Sequence, residues 1–137
     1  MGAAMKVADV MQKDLVTVPM AATVGEAIII LADAHVTGLP VVDRKGLLVG
    51  VLSTTDLLTS LAEQGREGDL VPLLDETTVS EIMTPRPKTV APDVDVREAA
   101  QQMLYLGIHR LFVESGGELA GVISQTDIVQ AYATGRL

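Results

Sequence analysis

Short apolar runs, rich in β-branched residues, recur along this chain and are separated by polar segments. The runs are too short for helices and have the composition typical of covered strands. They occur as two pairs, each interrupted by a polar turn that contains glycine, and this pattern predicts two hairpins. The apolar strand residues are Val41, Val42, Val49, Val51, Leu52, Val113, Val122 and Ile123.

Two longer segments, about Val24 to Ala34 and Val96 to Leu106, place apolar residues three and four positions apart, which predicts a helix over each. A capping box is predicted at both starts. The capping pairs are Thr23 with Glu26 and Asp95 with Glu98. The residues expected to cover the strands are Ala27, Ile28, Leu31, Ala32, Ala99, Ala100, Met103 and Leu104.

The two halves of the chain repeat one another at an offset of 72 residues, which drops to 71 after the hairpin turns. Each half predicts a short helical turn, a short strand, a helix, a hairpin and a closing helix, in the order β-α-β-β-α. The short strands are expected at residues 16–18 and 89–90. The fold class is therefore α/β (α+β), with repeat 1 over 1–64, a linker over 65–78 and repeat 2 over 79–137. Since about 70 residues bury little surface alone, we expect the repeats to pack about a pseudo-twofold axis.

Composition narrows the classes of function. A hydrophobic content of 48% suits a packed core, while a net charge of −8 without a basic cluster argues against a nucleic-acid partner. The chain has no cysteine, which excludes disulfides and thiolate chemistry. We find neither an apolar run long enough to span a membrane nor a signal-peptide pattern, so we expect a cytoplasmic protein without a membrane partner.

The clearest candidate for a functional site is a sequence phrase that occurs twice. It is Gly-Val-Leu-Ser-Thr-Thr-Asp-Leu from Gly50 and Gly-Val-Ile-Ser-Gln-Thr-Asp-Ile from Gly121. Each copy reads as a strand running into the first turn of a helix, where free N–H groups and the helix dipole favour an anion. The alternative is a helix cap with an acidic residue in the first turn. The polar residues are Ser53, Thr55, Asp56, Ser124, Thr126 and Asp127.

The tandem β-α-β-β-α units, closed by these two phrases, resemble the cystathionine-β-synthase (CBS) domain pair, or Bateman module. The resemblance covers nearly the whole chain. It includes the phrases Val-Ala-Asp-Val-Met from Val7 and Val-Ser-Glu-Ile-Met from Val79, the Thr-Val strands, and Gly107 to Leu111.

The resemblance implies two clefts that hold an adenosine-containing ligand such as AMP, ADP, ATP or S-adenosylmethionine. Asp56 and Asp127 would take ribose hydroxyls, since a carboxylate can accept from both. The serines and threonines beside them would reach phosphate. The residues expected to flank adenine are Thr17, Val18, Thr89 and Val90.

The two repeats differ in charge at one pair of positions. His109 and Arg110 have Thr37 and Gly38 as counterparts, so only one repeat supplies cations there. We therefore expect unequal clefts, the basic pair serving the Asp56 cleft by analogy with the gamma subunit of AMP-activated protein kinase. A surface pair neutralised by nearby acids is the alternative.

Three functions compete. The resemblance favours a regulatory module that senses energy or a metabolite, needs no cofactor, and acts as a homodimer on an effector protein that the sequence does not identify. The alternative is a structural dimerisation module with vestigial clefts. An enzyme is disfavoured because no catalytic triad, metal cluster or nucleotide-binding glycine pattern occurs. Dimerisation is expected through the helices at Thr55 to Leu61 and Ile128 to Tyr132.

Overall fold

A computed structural model describes residues 5–64 and 70–135 and divides the chain into two compact units. The first unit comprises residues 16–87, and the second joins residues 1–15 to 88–137. The predicted class, with mixed helices and strands, is confirmed, because each unit holds its own sheet. Among the described residues, every helix is too short or too polar to cross a membrane.

The first unit builds a four-stranded sheet in the order β1-β2-β3-β4, with β1 parallel to β2 and the other neighbours antiparallel. Its core consists mainly of aliphatic side chains from the sheet and from the helix that covers it. Its elements are β1 (Val18–Pro19), α2 (Val24–Ala34), β2 (Gly38–Val42), β3 (Leu48–Ser53), α3 (Thr54–Gln64), α4 (Leu70–Glu76), α5 (Val79–Ile82) and β4 (Thr84–Pro85).

The second unit repeats this plan with a three-stranded sheet in the order β5-β6-β7. In place of a fourth strand, Gln12 forms a single antiparallel bridge with Val122 of β7. Its elements are α1 (Val7–Val10), β5 (Thr89–Val90), α6 (Val96–Leu106), β6 (Arg110–Ser115), β7 (Glu118–Ser124) and α7 (Gln125–Ala133).

The two units exchange their opening segments relative to the sequence repeats. Helix α1 comes from the start of repeat 1, yet its Val7 and Val10 are buried in the core of the second unit. Helix α5 comes from the start of repeat 2, yet its Val79 is buried in the core of the first unit. The predicted boundaries 1–64 and 79–137 therefore describe the repeats of the sequence. The compact units have different boundaries, because each contains the opening segment of the other repeat.

Several sequence predictions need correction in detail. The first short strand is Val18–Pro19 instead of residues 16–18, because only Val18 and Pro19 pair with β2. Part of the predicted linker is helix α4, whose Leu73 is 3% exposed, so this apolar stretch packs as a helix. Residues 65–69 of that linker lie outside the described residues.

The covering helices have the predicted bounds but bury fewer residues than predicted. Ala27 and Leu31 of α2 and Ala99 and Met103 of α6 are buried. Three of the residues that were predicted to be buried are exposed, namely Ile28, Ala32 and Leu104. The face that each helix buries is therefore narrower than the predicted apolar face. Both helices therefore carry apolar side chains on their outer faces.

The predicted capping box at Thr23 is confirmed, since the Thr23 hydroxyl accepts from the Glu26 N–H and Glu26 accepts from the Thr23 N–H. At α6 the predicted cap residue, Asp95, is confirmed, but the predicted capping box with Glu98 is wrong. Asp95 accepts from the N–H of Arg97, two residues on, at 2.8 Å. An aspartate side chain reaches this nearer donor, which leaves Glu98 without its predicted role.

The cap of α5 makes a testable pH prediction. Glu81 accepts from the Thr78 N–H at 2.6 Å and from the Thr78 hydroxyl at 3.0 Å, and these bonds lower the pKa of Glu81. The stabilisation is present above the unfolded pKa and is lost as pH falls through the folded one. NMR titration of the Glu81 carboxyl carbon should give a midpoint below the usual glutamate value of about 4.3. Thr78→Val should move the midpoint up, and an unshifted midpoint in the wild type would contradict the prediction.

Candidate functional site

Both predicted serine and aspartate pairs form reciprocal capping boxes at the starts of α3 and α7. The Asp56 N–H donates to the Ser53 hydroxyl at 3.1 Å, and the Ser53 N–H donates to Asp56 Oδ2 at 2.9 Å. Ser124 and Asp127 make the same two bonds at the same distances. Both helix starts therefore have the contacts that the helix-cap interpretation predicts. Each box uses one carboxylate oxygen, and each oxygen holds two lone pairs.

The other oxygen of each aspartate binds a side chain that sequence reasoning missed. Thr84 Oγ1 donates to Asp56 Oδ1 at 2.9 Å, and Gln12 Nε2 donates to Asp127 Oδ1 at 3.1 Å. Thr84 and Gln12 each follow the methionine that ends a matched opening phrase, Met83 or Met11. This shared position after the methionine is the only signal in the sequence that singles out Thr84 and Gln12. It does not show that they bind Asp56 and Asp127, because the exchange of opening segments is not visible in the sequence.

The backbone holds these two donors in place. Gln12 exchanges two hydrogen bonds with Val122, at 2.8 and 3.0 Å, and Thr84 pairs with Val51. Glycine at the facing strand positions permits this close approach. A Cβ on Gly121 would lie 2.6 Å from the Gln12 carbonyl oxygen, and one on Gly50 would lie 3.0 Å from that of Thr84. The glycine at the start of each repeated phrase, Gly50 or Gly121, thus leaves room for the segment whose Thr84 or Gln12 side chain binds the aspartate.

The threonine and valine pairs predicted to flank adenine lie on the short parallel strands or beside them. Val18 pairs with Val41 and is fully buried, and Val90 pairs with Val113 and is 7% exposed. Their side chains belong to the cores, so only their backbone groups remain for a ligand. Thr17 and Thr89 are half-buried.

The basic pair lies in the second unit, beside the start of α7. Arg110 is in register with Ser124, and the His109 carbonyl accepts from the Gln125 N–H at 2.9 Å. Both side chains are exposed, and within residues 5–64 and 70–135 the Arg110 guanidinium has no hydrogen-bond or ion-pair partner. In the first unit the Thr37 carbonyl accepts from the Thr54 N–H and Gly38 is in register with Ser53, so the predicted alignment of these positions is confirmed.

One hollow contains a predicted ligand residue. It has a volume of about 250 Å³ and lies between α7 and the segment after α1, with Gln12, Asp127, Gln130 and Thr134 as its polar lining. A wider hollow of about 530 Å³ lies at the β2–β3 turn of the first unit, beside Arg44 and Lys45. That turn is at the opposite end of β3 from Ser53, and none of the predicted ligand residues lines this second hollow.

Each unit therefore brings together a half-buried carboxylate, a half-buried serine and an exposed threonine at one helix start. The first unit holds Ser53, Thr55 and Asp56, and the second holds Ser124, Thr126 and Asp127 beside Arg110. Carboxylate lone pairs suit the donors of a sugar diol, and hydroxyls with a guanidinium suit a phosphate. Among the described residues, no group of three or more His, Cys, Asp or Glu side chains could hold a metal ion.

Comparison with known proteins gives a consistent result. The family model for the CBS domain matches residues 7–63 and 79–134. The CBS domain-containing protein CBSX1, chloroplastic, of Arabidopsis thaliana is 33% identical over 141 residues, which cover 88% of this chain and 60% of that protein. The chain spans about 60% of the length of the first curated relatives that it matches.

Two solved structures share the fold and contain adenosine compounds. The crystal structure of CBSX2 in complex with AMP has 31% sequence identity and a TM-score of 0.80, over 96% of this chain and 98% of that one. The CBS domain pair of protein MJ0100, in complex with 5′-methylthioadenosine and S-adenosyl-L-methionine, has 25% identity and a TM-score of 0.77. That alignment covers 97% of this chain and 99% of that one.

Proposed function

This chain belongs to the CBS domain family, and we propose that it is a regulatory module that binds an adenosine-containing ligand and changes its shape or association in response. The observation that carries the proposal is the duplicated carboxylate at a helix start, Asp56 in one unit and Asp127 in the other, each with lone pairs left for a ribose. AMP, ADP, ATP and S-adenosylmethionine all present the same ribose to such a group.

Two further features support an adenosine ligand. Related CBS pairs hold AMP in one crystal structure and adenosyl compounds in another. Arg110 is an exposed cation beside Ser124, which suits a phosphorylated ligand in a chain whose net charge is −8. We propose that the ligand is bound and not converted, and that the protein works in the cytoplasm on an effector protein.

A thermal-shift panel tests the proposal. AMP, ADP, ATP and S-adenosylmethionine are each added to the purified chain, with guanosine monophosphate as the matched control. A ligand at ~100 times its dissociation constant stabilises the folded state by ~2.7 kcal/mol, which corresponds to a rise of several degrees in Tm. A rise with an adenosine compound that exceeds the rise with the guanosine control supports the proposal. An equal rise in Tm with all five compounds would remove the preference for adenosine, and no rise with any of them would leave only the structural module.

We propose that the module is a homodimer, because its helices carry large apolar side chains that are exposed in the single chain. In the first unit, Leu58 is 67% exposed, and in the second unit Leu104 and Tyr105 of α6 are 75% and 90% exposed. Val129 of α7 is 66% exposed. A second copy would cover such faces and exclude water from them.

Light scattering checks the dimer. At tens of micromolar the wild-type chain should scatter as twice its 14.4 kDa mass, and Leu104→Glu with Val129→Glu should reduce it to one chain. A charge in a dimer core costs several kcal/mol unless it is paired. Lys45→Glu, on the exposed turn between β2 and β3, is the control and should leave the mass unchanged. A monomeric wild type would remove the dimer from the proposal.

A further inference from the structure

The aspartates Asp56 and Asp127 have identical capping boxes but different second partners. The hydroxyl of Thr84 binds Asp56, whereas the side-chain amide of Gln12 binds Asp127. Each partner belongs to the opposite sequence repeat and reaches its aspartate because the opening segments are exchanged. The Thr84 hydroxyl and the Gln12 amide therefore occupy equivalent positions in the two units, so their effects on a ligand can be compared directly.

The two partners differ in what they leave for a ligand. The single proton of the Thr84 hydroxyl is used by Asp56, so its oxygen can only accept a further bond. The amide of Gln12 gives one proton to Asp127 and keeps a second N–H and a carbonyl oxygen. A ligand hydroxyl that donates to Asp127 can therefore accept from Gln12 in the same place, which satisfies both of its functions.

The surroundings of Gln12 leave room for this double contact. Gln12 and Asp127 both line the hollow of about 250 Å³ beside α7. The Gln12 side-chain amide is held beside the carboxylate by its hydrogen bond to Asp127, and the Gln12 backbone is fixed by its two hydrogen bonds to Val122. The amide is thus held where an approaching hydroxyl meets it and the carboxylate together.

We propose that Gln12 is a specificity-determining residue that selects ribose over deoxyribose at Asp127, and that Thr84 only positions the carboxylate of Asp56. The inference rests on the proposed function, since it needs an adenosine ligand at these helix starts. It assigns a ligand contact to a residue outside both repeated phrases. It also makes the two positions unequal in selectivity for the sugar, independently of the charge at Arg110.

Calorimetric titration with AMP and with 2′-deoxy-AMP tests the inference. The variants are Gln12→Leu, which keeps the volume without the amide, and Thr84→Val, which keeps the shape without the hydroxyl. Gln101→Leu on the exposed face of α6 is the matched control. A neutral hydrogen bond contributes ~0.5–1.5 kcal/mol, so Gln12→Leu should weaken one AMP phase by ~3–10-fold and bring the two nucleotides to nearly equal affinity there. Thr84→Val should weaken the other phase by less and leave the ratio of the two nucleotides unchanged.

The outcomes separate this inference from the proposed function. If the wild type binds AMP, and Gln12→Leu leaves both the affinity and the ratio unchanged, Gln12 has no role in selectivity although the module binds its ligand. A change in the ratio with Thr84→Val that matches or exceeds that with Gln12→Leu would also overturn the assignment. If the wild type binds neither nucleotide, the proposed function fails first. Should Gln12→Leu unfold, Gln12→Glu is titrated instead, and it should weaken AMP by repelling Asp127.

Discussion

Replacing Asp127 by alanine is expected to weaken AMP at one of two positions by ~10–100-fold, because a carboxylate that accepts from a ribose contributes ~1.5–3 kcal/mol through a charged hydrogen bond. The same change should lower the free energy of unfolding by about 1–2 kcal/mol, or several degrees in Tm. A first-turn acid whose only partner is the helix dipole would contribute little to stability. Asp127 has further partners, because it also accepts from the Ser124 N–H and from the Gln12 amide.

Asp127→Asn separates binding from capping. The asparagine oxygen can still accept from the Ser124 N–H, and the Gln12 amide can turn its oxygen toward the new NH₂ group. We expect Asn to regain most of the stability while AMP stays weak, because the charge is gone. Asp56→Ala is the matched control in the first unit and should affect the other phase of the titration. Normal AMP affinity in Asp127→Ala, together with early melting, would reduce Asp127 to a helix cap.

Replacing Arg110 by alanine is expected to weaken the tighter of two AMP phases by ~10–100-fold. The guanidinium is exposed beside Ser124 without a protein partner in the described part of the chain, and the first unit has Gly38 at the matching position. An anion entering a chain with a net charge of −8 gains most from such a fixed cation. Which of the two aspartates shares its ligand with Arg110 stays a prediction, and the analogy with the gamma subunit of AMP-activated protein kinase favours Asp56.

Adenosine provides the control for charge, because it lacks the phosphate that Arg110 would meet. Its affinity should change by less than ~3-fold in Arg110→Ala, and Arg110→Lys should restore only part of the AMP affinity since ammonium lacks the bidentate fork. Two equal AMP phases in the wild type, or an equal loss for AMP and adenosine in the variant, would contradict the expected inequality of the sites.

The regular elements could be predicted because local signals agree with them. The bounds of α2 and α6 follow from apolar periodicity, from the caps Thr23 and Asp95, and from Gly107, which ends α6 at φ +68°. The exchange of opening segments could not be predicted. Val7 and Val79 sit in equivalent phrases, and nothing local tells a four-residue helix which sheet it will cover.

The candidate site shows the same division. Ser53, Asp56, Ser124 and Asp127 could be found from one repeated phrase, because capping chemistry and ligand chemistry use the same residues at the same spacing. Gln12 could not be found, since it lies 115 positions from the carboxylate that it binds. The burial of the valines could not be predicted either. A Thr-Val pair has the same sequence whether its valine lines a cleft or lies in a core, as Val18 does.

Calorimetric titration of AMP into the wild-type chain and into a variant with both Asp56→Ala and Asp127→Ala tests the central claim most directly. The wild type should show saturable binding, and the double variant should show none at concentrations that saturate the wild type, with circular dichroism confirming that it remains folded. Binding by the double variant with the affinity of the wild type, or a wild type that binds none of AMP, ADP, ATP and S-adenosylmethionine, would contradict it.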